Sequence, residues 1–226
     1  MIPQKAFDDL PTMLQRVPLF SALNNEELAA VCAHVVTRSY AKNCVLITEG
    51  DATDSLFIIL KGRVKVYLSD DRGREVILTQ QTSGEYFGEL ALIDDAERSA
   101  SVMTIEPSTF IIITKHSFKE ILAANPSIAV TLIRDLTGRI RTLTDNVKSL
   151  ALMDVYGRVA KTLLNMATQT GDKLVIDEKL TQQDIADRVG SSREMVSKIL
   201  KDLSSGGYIS VDHKRIVINE RLPTRY

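Results

Sequence analysis

The stretch TQQDIADRVGSSREMVSKILKDL, residues 181–203, contains two short helical patterns that a glycine separates. Thr181 has the hydroxyl of a good N-cap for the first helix. Gly190 lies where the turn between the helices requires a positive φ angle, and Ser191 or Ser192 can cap the second helix. Two short helices joined by a glycine-containing turn of this length are typical of a helix-turn-helix.

The second of these helices carries its charges on one side. Its apolar residues recur at i, i+3, i+4 and i+7, which leaves a polar face that starts with Arg193 and Glu194. The N-terminal end of such a helix enters the DNA major groove, where arginine can bond guanine and glutamate can accept from cytosine. A solvated face of mixed charge is the alternative, but the hairpin pattern at Tyr208–Val211 and Ile216–Ile218 adds a wing. The residues expected to bind double-stranded DNA are Ser192, Arg193, Glu194, Ser197, Lys198 and Lys201.

The N-terminal half of the chain has a different pattern. A helical segment of about 33 residues is followed, over residues 39–115, by short β-branched runs that turn residues separate. The runs Leu56–Leu60 and Thr109–Thr114 have the length of strands, and Val64–Leu68 alternates apolar with polar residues. Strands at such close spacing predict a compact antiparallel roll or barrel.

After Pro126, apolar residues repeat at alternating spacings of four and three over three heptads. A seam this regular is typical of a coiled coil, because a helix packed on a globular core shows a broader stripe. We therefore expect a homodimer, and the alternative is a helix that packs along its own β-domain. The residues of the expected dimer seam are Ile133, Leu136, Ile140, Leu143, Val147 and Leu150.

The strand and helix patterns together predict an α+β protein, and its length favours more than one domain. The chain has 226 residues, 44% of them hydrophobic, with 28 basic and 29 acidic side chains. Its apolar runs are too short to span a membrane, no export signal is recognisable, and Cys32 and Cys44 are too few for a disulfide framework. We expect a cytoplasmic protein without a membrane partner. The expected parts are a β-roll sensor domain (1–125), a dimerisation helix with its hinge (126–153) and a winged helix-turn-helix domain (154–226).

A second motif lies in the β-rich region and is called the cassette here, residues 87–99 (FGELALIDDAERS). Gly88 lets a backbone approach a ligand, and a short helix after it can direct N–H groups at an anion. Arg98 can hold a phosphate bidentately, Ser99 can donate a hydroxyl, and Glu89 can accept from a sugar hydroxyl. Each feature alone is also typical of an ordinary turn or surface charge, so the prediction depends on the whole set.

Together these features resemble the CRP/FNR family of bacterial transcription regulators, and the resemblance covers nearly the whole chain. Its most specific stretches are the cassette and Ser192–Val196 (SREMV). It implies a cyclic-nucleotide-binding jelly roll with cyclic AMP, or another cyclic nucleotide, as a non-covalent effector. Glu89 would contact the ribose, Arg98 and Ser99 the cyclic phosphate, and Arg139 would close over the nucleotide. The expected effector-binding residues are Gly88, Glu89, Leu90, Arg98, Ser99, Arg139 and Thr144.

The resemblance also implies that Arg193, Glu194 and Lys198 bind a palindromic TGTGA-like site, with RNA polymerase as a protein partner. Two positions depart from the family pattern. Leu143 and Thr144 lie where nucleotide-binding members have a threonine followed by serine or asparagine that meets the adenine. Lys198 replaces a common arginine and offers no planar fork of donors, so discrimination at its base pair relaxes.

Several functions therefore stay open at this point. The leading hypothesis is a homodimeric transcription regulator gated by cyclic AMP, and no catalytic residue is expected. The effector could instead be cyclic di-GMP, or DNA binding could need no ligand. A regulatory subunit that binds a nucleotide and acts by protein contact is a third hypothesis. Two cysteines cannot supply the four ligands of an iron–sulfur cluster, and the three histidines have no metal spacing, which leaves only a discontinuous haem site open.

Overall fold

The computed structural model describes residues 10–52, 54–171, 173–177, 180–212 and 215–223. The chain forms two compact units. The first extends to Leu68 and continues over Leu78–Ile140, and the second comprises Ser69–Ile77 and the chain from Arg141 onward. The tip of the expected wing, His213 and Lys214, lies outside the described residues.

The N-terminal part of the chain forms an antiparallel β-roll, as the sequence predicted. Two four-stranded sheets have the strand orders β1-β8-β3-β6 and β2-β7-β4-β5. The strands are β1 (Val35–Tyr40), β2 (Val45–Ile47), β3 (Ser55–Lys61), β4 (Arg63–Ser69), β5 (Glu75–Thr82), β6 (Tyr86–Phe87), β7 (Ser101–Thr104) and β8 (Ser108–Thr114).

Helices flank the roll. A capping box between Asn24 and Glu27 starts the second of them, and the Thr114 hydroxyl caps the fourth. The helices are α1 (Leu10–Gln15), α2 (Asn25–Cys32), α3 (Leu90–Ile93), α4 (Lys115–Ala124) and α5 (Pro126–Leu152), with a 3-10 turn at Pro18–Phe20.

Strand β3 explains why one apolar run has no polar interruption. Phe57 and Ile59 face the core between the two sheets, whereas Leu56 and Ile58 face a second core that the helices cover. Because successive side chains of a strand point to opposite faces, a strand buried on both faces needs an apolar residue at every position. The helix-covered core also contains Ile128 and Leu132 from the start of α5.

Most of the predicted dimer seam is uncovered in the single chain. Leu136 packs partly against the helix-covered core. The other five seam residues are 45% to 65% exposed. They are Ile133, Ile140, Leu143, Val147 and Leu150.

The second unit contains a helix-turn-helix and a four-stranded sheet of order β11-β12-β10-β9. One apolar core joins its helices and strands. The hairpin β9–β10, which the sequence analysis did not identify, follows a helix that ends at Met166. The elements are α6 (Val155–Met166), β9 (Thr168–Thr170), β10 (Lys173–Ile176), α7 (Gln182–Val189), α8 (Arg193–Ser205), β11 (Ile209–Asp212) and β12 (Arg215–Ile218).

Within the part of the chain that the structure describes, no helix has the length and apolar character needed to cross a bilayer.

Candidate effector site and nucleic-acid interface

The backbone at Gly88 lies against the side chain of Arg98. Gly88 has a φ angle of +86°, and a Cβ built on it would lie 2.7 Å from Arg98 Nη1 and 2.9 Å from the carbonyl oxygen of Ser55. Real Cβ atoms essentially never approach other atoms so closely. A side chain at this position would therefore displace the arginine as well as strain the backbone.

Arg98 is a buried cation, with 3% of its surface exposed. Its Nη1 donates to the Gly88 carbonyl oxygen at 2.6 Å, and its Nη2 donates to the Ser55 carbonyl oxygen at 2.7 Å. Burial lowers the pKa of the guanidinium, and the nearby carboxylates of Asp54 and Glu89 counteract this shift. Since arginine stays protonated in proteins, the cassette contains a fixed positive charge suited to an anionic group.

Glu89 pairs with the long helix α5. Its carboxylate, 3% exposed, accepts from Arg139 Nη1 at 2.7 Å. Burial raises the pKa of the Glu89 carboxyl above its ordinary value, and the positive charge of Arg139 opposes the rise. A buried carboxylate held in this way is an acceptor for a hydroxyl group.

Tyr86 contacts Arg139 with its carbonyl oxygen and its ring, and Asp135 with its hydroxyl. Its carbonyl oxygen accepts from Arg139 Nη2 at 2.8 Å, and the guanidinium lies 4.8 Å from the centre of its ring. Its hydroxyl donates to Asp135 Oδ2 at 3.1 Å, one turn earlier on α5. Burial and the charge of Asp135 raise the pKa of the Tyr86 hydroxyl, so this group remains a donor.

The expected effector residues do not all meet. Contacts join Gly88, Glu89, Arg98 and Arg139 into one group. Leu90, which starts α3, and Ser99 are exposed chain neighbours of this group, and α3 is only four residues long. Thr144 is exposed on α5 five positions after Arg139 and belongs to the second unit.

Sequence reasoning missed Ser55, Tyr86 and Gln81, whose Nε2 donates to the Tyr86 carbonyl oxygen at 3.0 Å. Ser55 contributes only a backbone oxygen, which no sequence pattern reveals. A tyrosine directly before the cassette was a usable signal, because a buried tyrosine hydroxyl needs a polar partner.

The recognition helix, α8, has one apolar and one polar face. Val196, Ile199 and Leu203 are buried, and the Ser192 hydroxyl caps the helix by accepting from the Met195 amide at 3.2 Å. Five of the expected DNA-contact residues are exposed and Ser197 is half-buried. The exposed ones are Ser192, Arg193, Glu194, Lys198 and Lys201.

The turn before α8 has the geometry that its sequence predicted. Gly190 adopts a left-handed conformation with a φ angle of +63°. Thr181 and Asp184 form a capping box at the start of α7. The capping box thus fixes the start of α7, and Gly190 ends it before α8 begins.

The thiols and histidines do not form a metal site in the described ranges, where no three potential metal ligands cluster. Cys32 and Cys44 are both free cysteines, and burial raises the pKa of the Cys32 thiol.

Two family models match separate parts of this chain. Residues 37–125, which contain the cassette, match the cyclic nucleotide-binding domain, and residues 157–221 match the Crp-like helix-turn-helix domain. The CRP-like cAMP-activated global transcriptional regulator of Mycobacterium tuberculosis is 34% identical over 219 residues, which covers 94% of this chain and 98% of that relative. The chain belongs to the CRP family of transcriptional regulators.

Two further CRP-family proteins are similar along most of their length. The cAMP-activated global transcriptional regulator Vfr of Pseudomonas aeruginosa is 36% identical over 200 residues, covering 85% of this chain and 94% of Vfr. The c-di-GMP-responsive global regulator CLP of Xanthomonas campestris has the same fold, with a TM-score of 0.76 at 24% identity. This likeness covers 87% of this chain and all of the CLP chain. Proteins of this family are regulators with a DNA-binding helix-turn-helix, not enzymes.

Proposed function

We propose that this CRP-family chain is a homodimeric transcription regulator whose DNA binding is gated by cyclic AMP. The observation that carries the proposal is Arg98, a buried cation inside the matched cyclic nucleotide-binding domain. The Arg98 guanidinium keeps its positive charge while two carbonyl oxygens hold it in place, and arginine is well suited to bind an anionic phosphate. Relatives that share more than a third of their residues with this chain are named as cAMP-activated, which supports the choice of nucleotide.

The cassette supplies the contacts in this proposal. Arg98 and Ser99 bind the cyclic phosphate, and Gly88 allows its close approach. Glu89 accepts from a ribose hydroxyl, which suits its buried carboxylate. Arg139 pairs with Glu89 at 2.7 Å and closes over the bound nucleotide. Leu90 packs beside it at the start of α3.

The exposed seam of α5 is covered by a second copy of the chain. Five apolar residues at heptad spacing would otherwise remain in water, at a cost of roughly 25 cal/mol per Å² of apolar surface. In a parallel two-stranded coil, Arg139 and Thr144 take the g and e positions, which face each other across the interface. This register would bring Thr144 of one protomer close to the site of its partner.

The dimer presents two recognition helices to DNA. Arg193, Glu194 and Lys198 contact base edges of a TGTGA-like half-site, while Ser192, Ser197 and Lys201 contact the backbone. Two half-sites about 34 Å apart then form the palindrome. We assign sensing to residues 1–125, dimerisation to 126–153 and DNA binding to 154–226, in a cytoplasmic regulator that contacts RNA polymerase.

Gating requires that cyclic AMP binds the DNA-competent dimer more tightly than the other state. Arg139 joins the cassette to the seam helix, so a ligand that changes its contacts also changes the position of α5. A ligand with equal affinity for both states would shift nothing.

Leu143 favours a second candidate effector. It is an apolar seam residue, 45% exposed, at the position where a hydroxyl would contact adenine. A regulator of the same architecture that responds to cyclic di-GMP, or that binds DNA without a ligand, is consistent with this side chain.

Titration calorimetry of the purified protein with cyclic AMP, cyclic GMP and cyclic di-GMP tests the effector, and sedimentation in the same buffer tests the dimer. We expect one cyclic AMP per protomer, weaker binding of the other two nucleotides and a dimer. Tight binding of cyclic di-GMP alone would transfer the effector assignment to that nucleotide. If the protein sediments as a monomer, the proposal that α5 forms a dimer through its seam is contradicted.

A further inference from the structure

One arginine connects the end of α5 with the helix-turn-helix. Arg158, in the first turn of α6, donates from Nε to the carbonyl oxygen of Val189 at 2.8 Å. Its Nη1 donates to the carbonyl oxygen of Met153 at 3.0 Å, and its Nη2 lies 3.4 Å from that of Gly190. A single guanidinium therefore contacts the backbone just after α5 and the backbone at the end of α7.

These carbonyl groups are the ones that need a donor. The last carbonyls of a helix have no partner within the helix and carry partial negative charge. α7 ends at Val189, and Gly190 turns the chain into the left-handed region before α8 begins. Because a guanidinium is planar and has five donors, Arg158 can serve two helix ends at once, which a lysine cannot do.

Two more contacts lie in the same place. Lys161 Nζ donates to Ser149 Oγ at 2.5 Å, which ties α6 to the last turns of α5. Leu150 is a residue of the dimer seam, and its Cδ2 lies 3.5 Å from the position that a Cβ on Gly190 would occupy. The end of the seam and the turn before the recognition helix are thus packed together.

We propose that Arg158 is a positioning residue that fixes the recognition helix against the dimer helix and thereby sets the half-site spacing that the dimer accepts. The inference rests on the proposed function, since it requires a dimer that binds a palindrome. α8 begins at Arg193, three residues after Gly190, so a displacement of this turn displaces the recognition helix. Two recognition helices held rigidly on one coil fit grooves at one separation only.

The experiment compares DNA duplexes whose half-sites are separated by different lengths. Fluorescence anisotropy at one salt concentration would measure affinity for spacers of four, six and eight base pairs, and for a duplex with a single half-site. The variants are Arg158→Gln, which removes the charge and the fork, and Arg158→Lys, which keeps the charge alone. Lys173→Gln, at an exposed position of β10, is the control.

We expect the unmodified protein and Lys173→Gln to prefer one spacer by at least about tenfold. Arg158→Gln should reduce that preference to less than about threefold while its affinity for the single half-site stays within about twofold, because α8 itself is intact. The spacer preference of Arg158→Lys should lie between that of the unmodified protein and that of Arg158→Gln. If spacer preference is retained in Arg158→Gln, or if single-site and palindrome affinities fall equally, Arg158 only stabilises the domain and the proposal is wrong.

A measurement without DNA keeps this outcome separate from a failure of the proposed function. Hydrogen exchange of the free protein reports the opening of individual segments. Arg158→Gln should raise exchange at residues 149–153 and 186–191 together by at least about threefold, with the buried turns of α8 unchanged. Unchanged exchange at both segments would show that Arg158 does not hold the end of α5 to the end of α7, even if DNA binding follows expectation. If the unmodified protein binds no palindrome, the proposed function fails, whatever the exchange shows.

Discussion

The cassette and the recognition helix both depend on charged side chains, but the chain places these charges in opposite environments. Glu89 and Arg98 are each 3% exposed, and protein atoms already contact their charged groups. Arg193 and Glu194 are exposed on α8. A buried charge loses its hydration and needs partners, whereas an exposed one costs folding almost nothing. Substitutions in the cassette should therefore change both the free energy of unfolding and the affinity for the ligand. Substitutions on the recognition helix should change only the affinity for DNA.

The largest effect is expected for Arg98→Ala. Removing one partner of a buried charged contact costs about 2–5 kcal/mol, so cyclic AMP affinity should fall by about 30- to 4,000-fold. The Gly88 and Ser55 carbonyls also lose their donor, which should lower the free energy of unfolding by about 1–3 kcal/mol. Calorimetry and urea unfolding measure the two quantities.

Arg63→Ala is the matched control for that variant. Arg63 lies on β4 and pairs with Glu106 at 3.1 Å, with both side chains about 40% exposed. Removing a surface pair of this kind should change the free energy of unfolding by less than about 1 kcal/mol and leave cyclic AMP affinity unchanged. Normal cyclic AMP binding by Arg98→Ala would show that the buried cation is structural only.

Arg193→Ala should show the opposite pattern. Loss of a bidentate base contact costs about 1–3 kcal/mol, so affinity for a palindromic TGTGA site should fall by about 5- to 150-fold. Cyclic AMP affinity should stay the same, and the free energy of unfolding should change by no more than about 0.5 kcal/mol. Lys201→Ala is the comparison, because loss of a phosphate contact weakens binding to all sequences equally. Retained discrimination against a mutated half-site would remove Arg193 from base recognition.

Gly88→Ala and Gly84→Ala separate backbone strain from crowding within one segment. Both glycines have positive φ angles, +86° and +90°, but a Cβ on Gly84 would have nothing within 4 Å. Gly84→Ala should lower the free energy of unfolding by about 1–2 kcal/mol through strain alone. Gly88→Ala should cost more and also weaken cyclic AMP binding, because its Cβ would displace Arg98. If Gly88→Ala and Gly84→Ala lower the free energy of unfolding equally and bind cyclic AMP with equal affinity, the close approach of Gly88 to Arg98 is contradicted.

The smallest effect is a pH dependence at Glu89, whose pKa burial raises above the ordinary value of 4.5. Protonation on acidification removes a charged acceptor and the pair with Arg139, so cyclic AMP affinity should fall by about fivefold as the pH drops through the raised pKa. Folding should respond in the other direction. The stability that protonated Glu89 contributes is complete below its unfolded pKa and is lost as the pH rises through the folded pKa.

Glu89→Gln should abolish both pH responses, and Glu85→Gln, an exposed carboxyl three residues after Thr82, should preserve them. Calorimetry and urea unfolding across the acid range would measure them. A pH-dependent loss of cyclic AMP affinity that persists in Glu89→Gln would assign the titration to another group.

The sequence predicted those elements whose side-chain pattern alone defines them. The heptads of α5 and the turn residues around Gly190 are local signals, and the structure has both elements. The strand β1 and the hairpin β9–β10 were missed for a physical reason. The β1 sequence, VVTRSY, has no regular alternation of apolar and polar residues and none of its residues is buried, and all three residues of β9 are polar and exposed.

The effector site could be predicted only for those of its residues that lie close together in the sequence. The cassette supplies Gly88, Glu89 and Arg98 within eleven residues, and this cluster is visible in the sequence. The contacts of Arg98 with the Ser55 carbonyl and of Tyr86 with Asp135 join distant segments through a backbone atom and a hydroxyl. Such pairings are a product of the fold and have no spacing of their own.

The central claim is that a nucleotide in the cassette controls what the recognition helix binds. Its most direct test is fluorescence anisotropy of a labelled duplex with TGTGA and TCACA half-sites, at one salt concentration, without ligand and with cyclic AMP, cyclic GMP or cyclic di-GMP. We expect tight, sequence-specific binding with cyclic AMP and weak binding in the other three samples. Equal specific binding in all four samples would contradict gating by a nucleotide in the cassette.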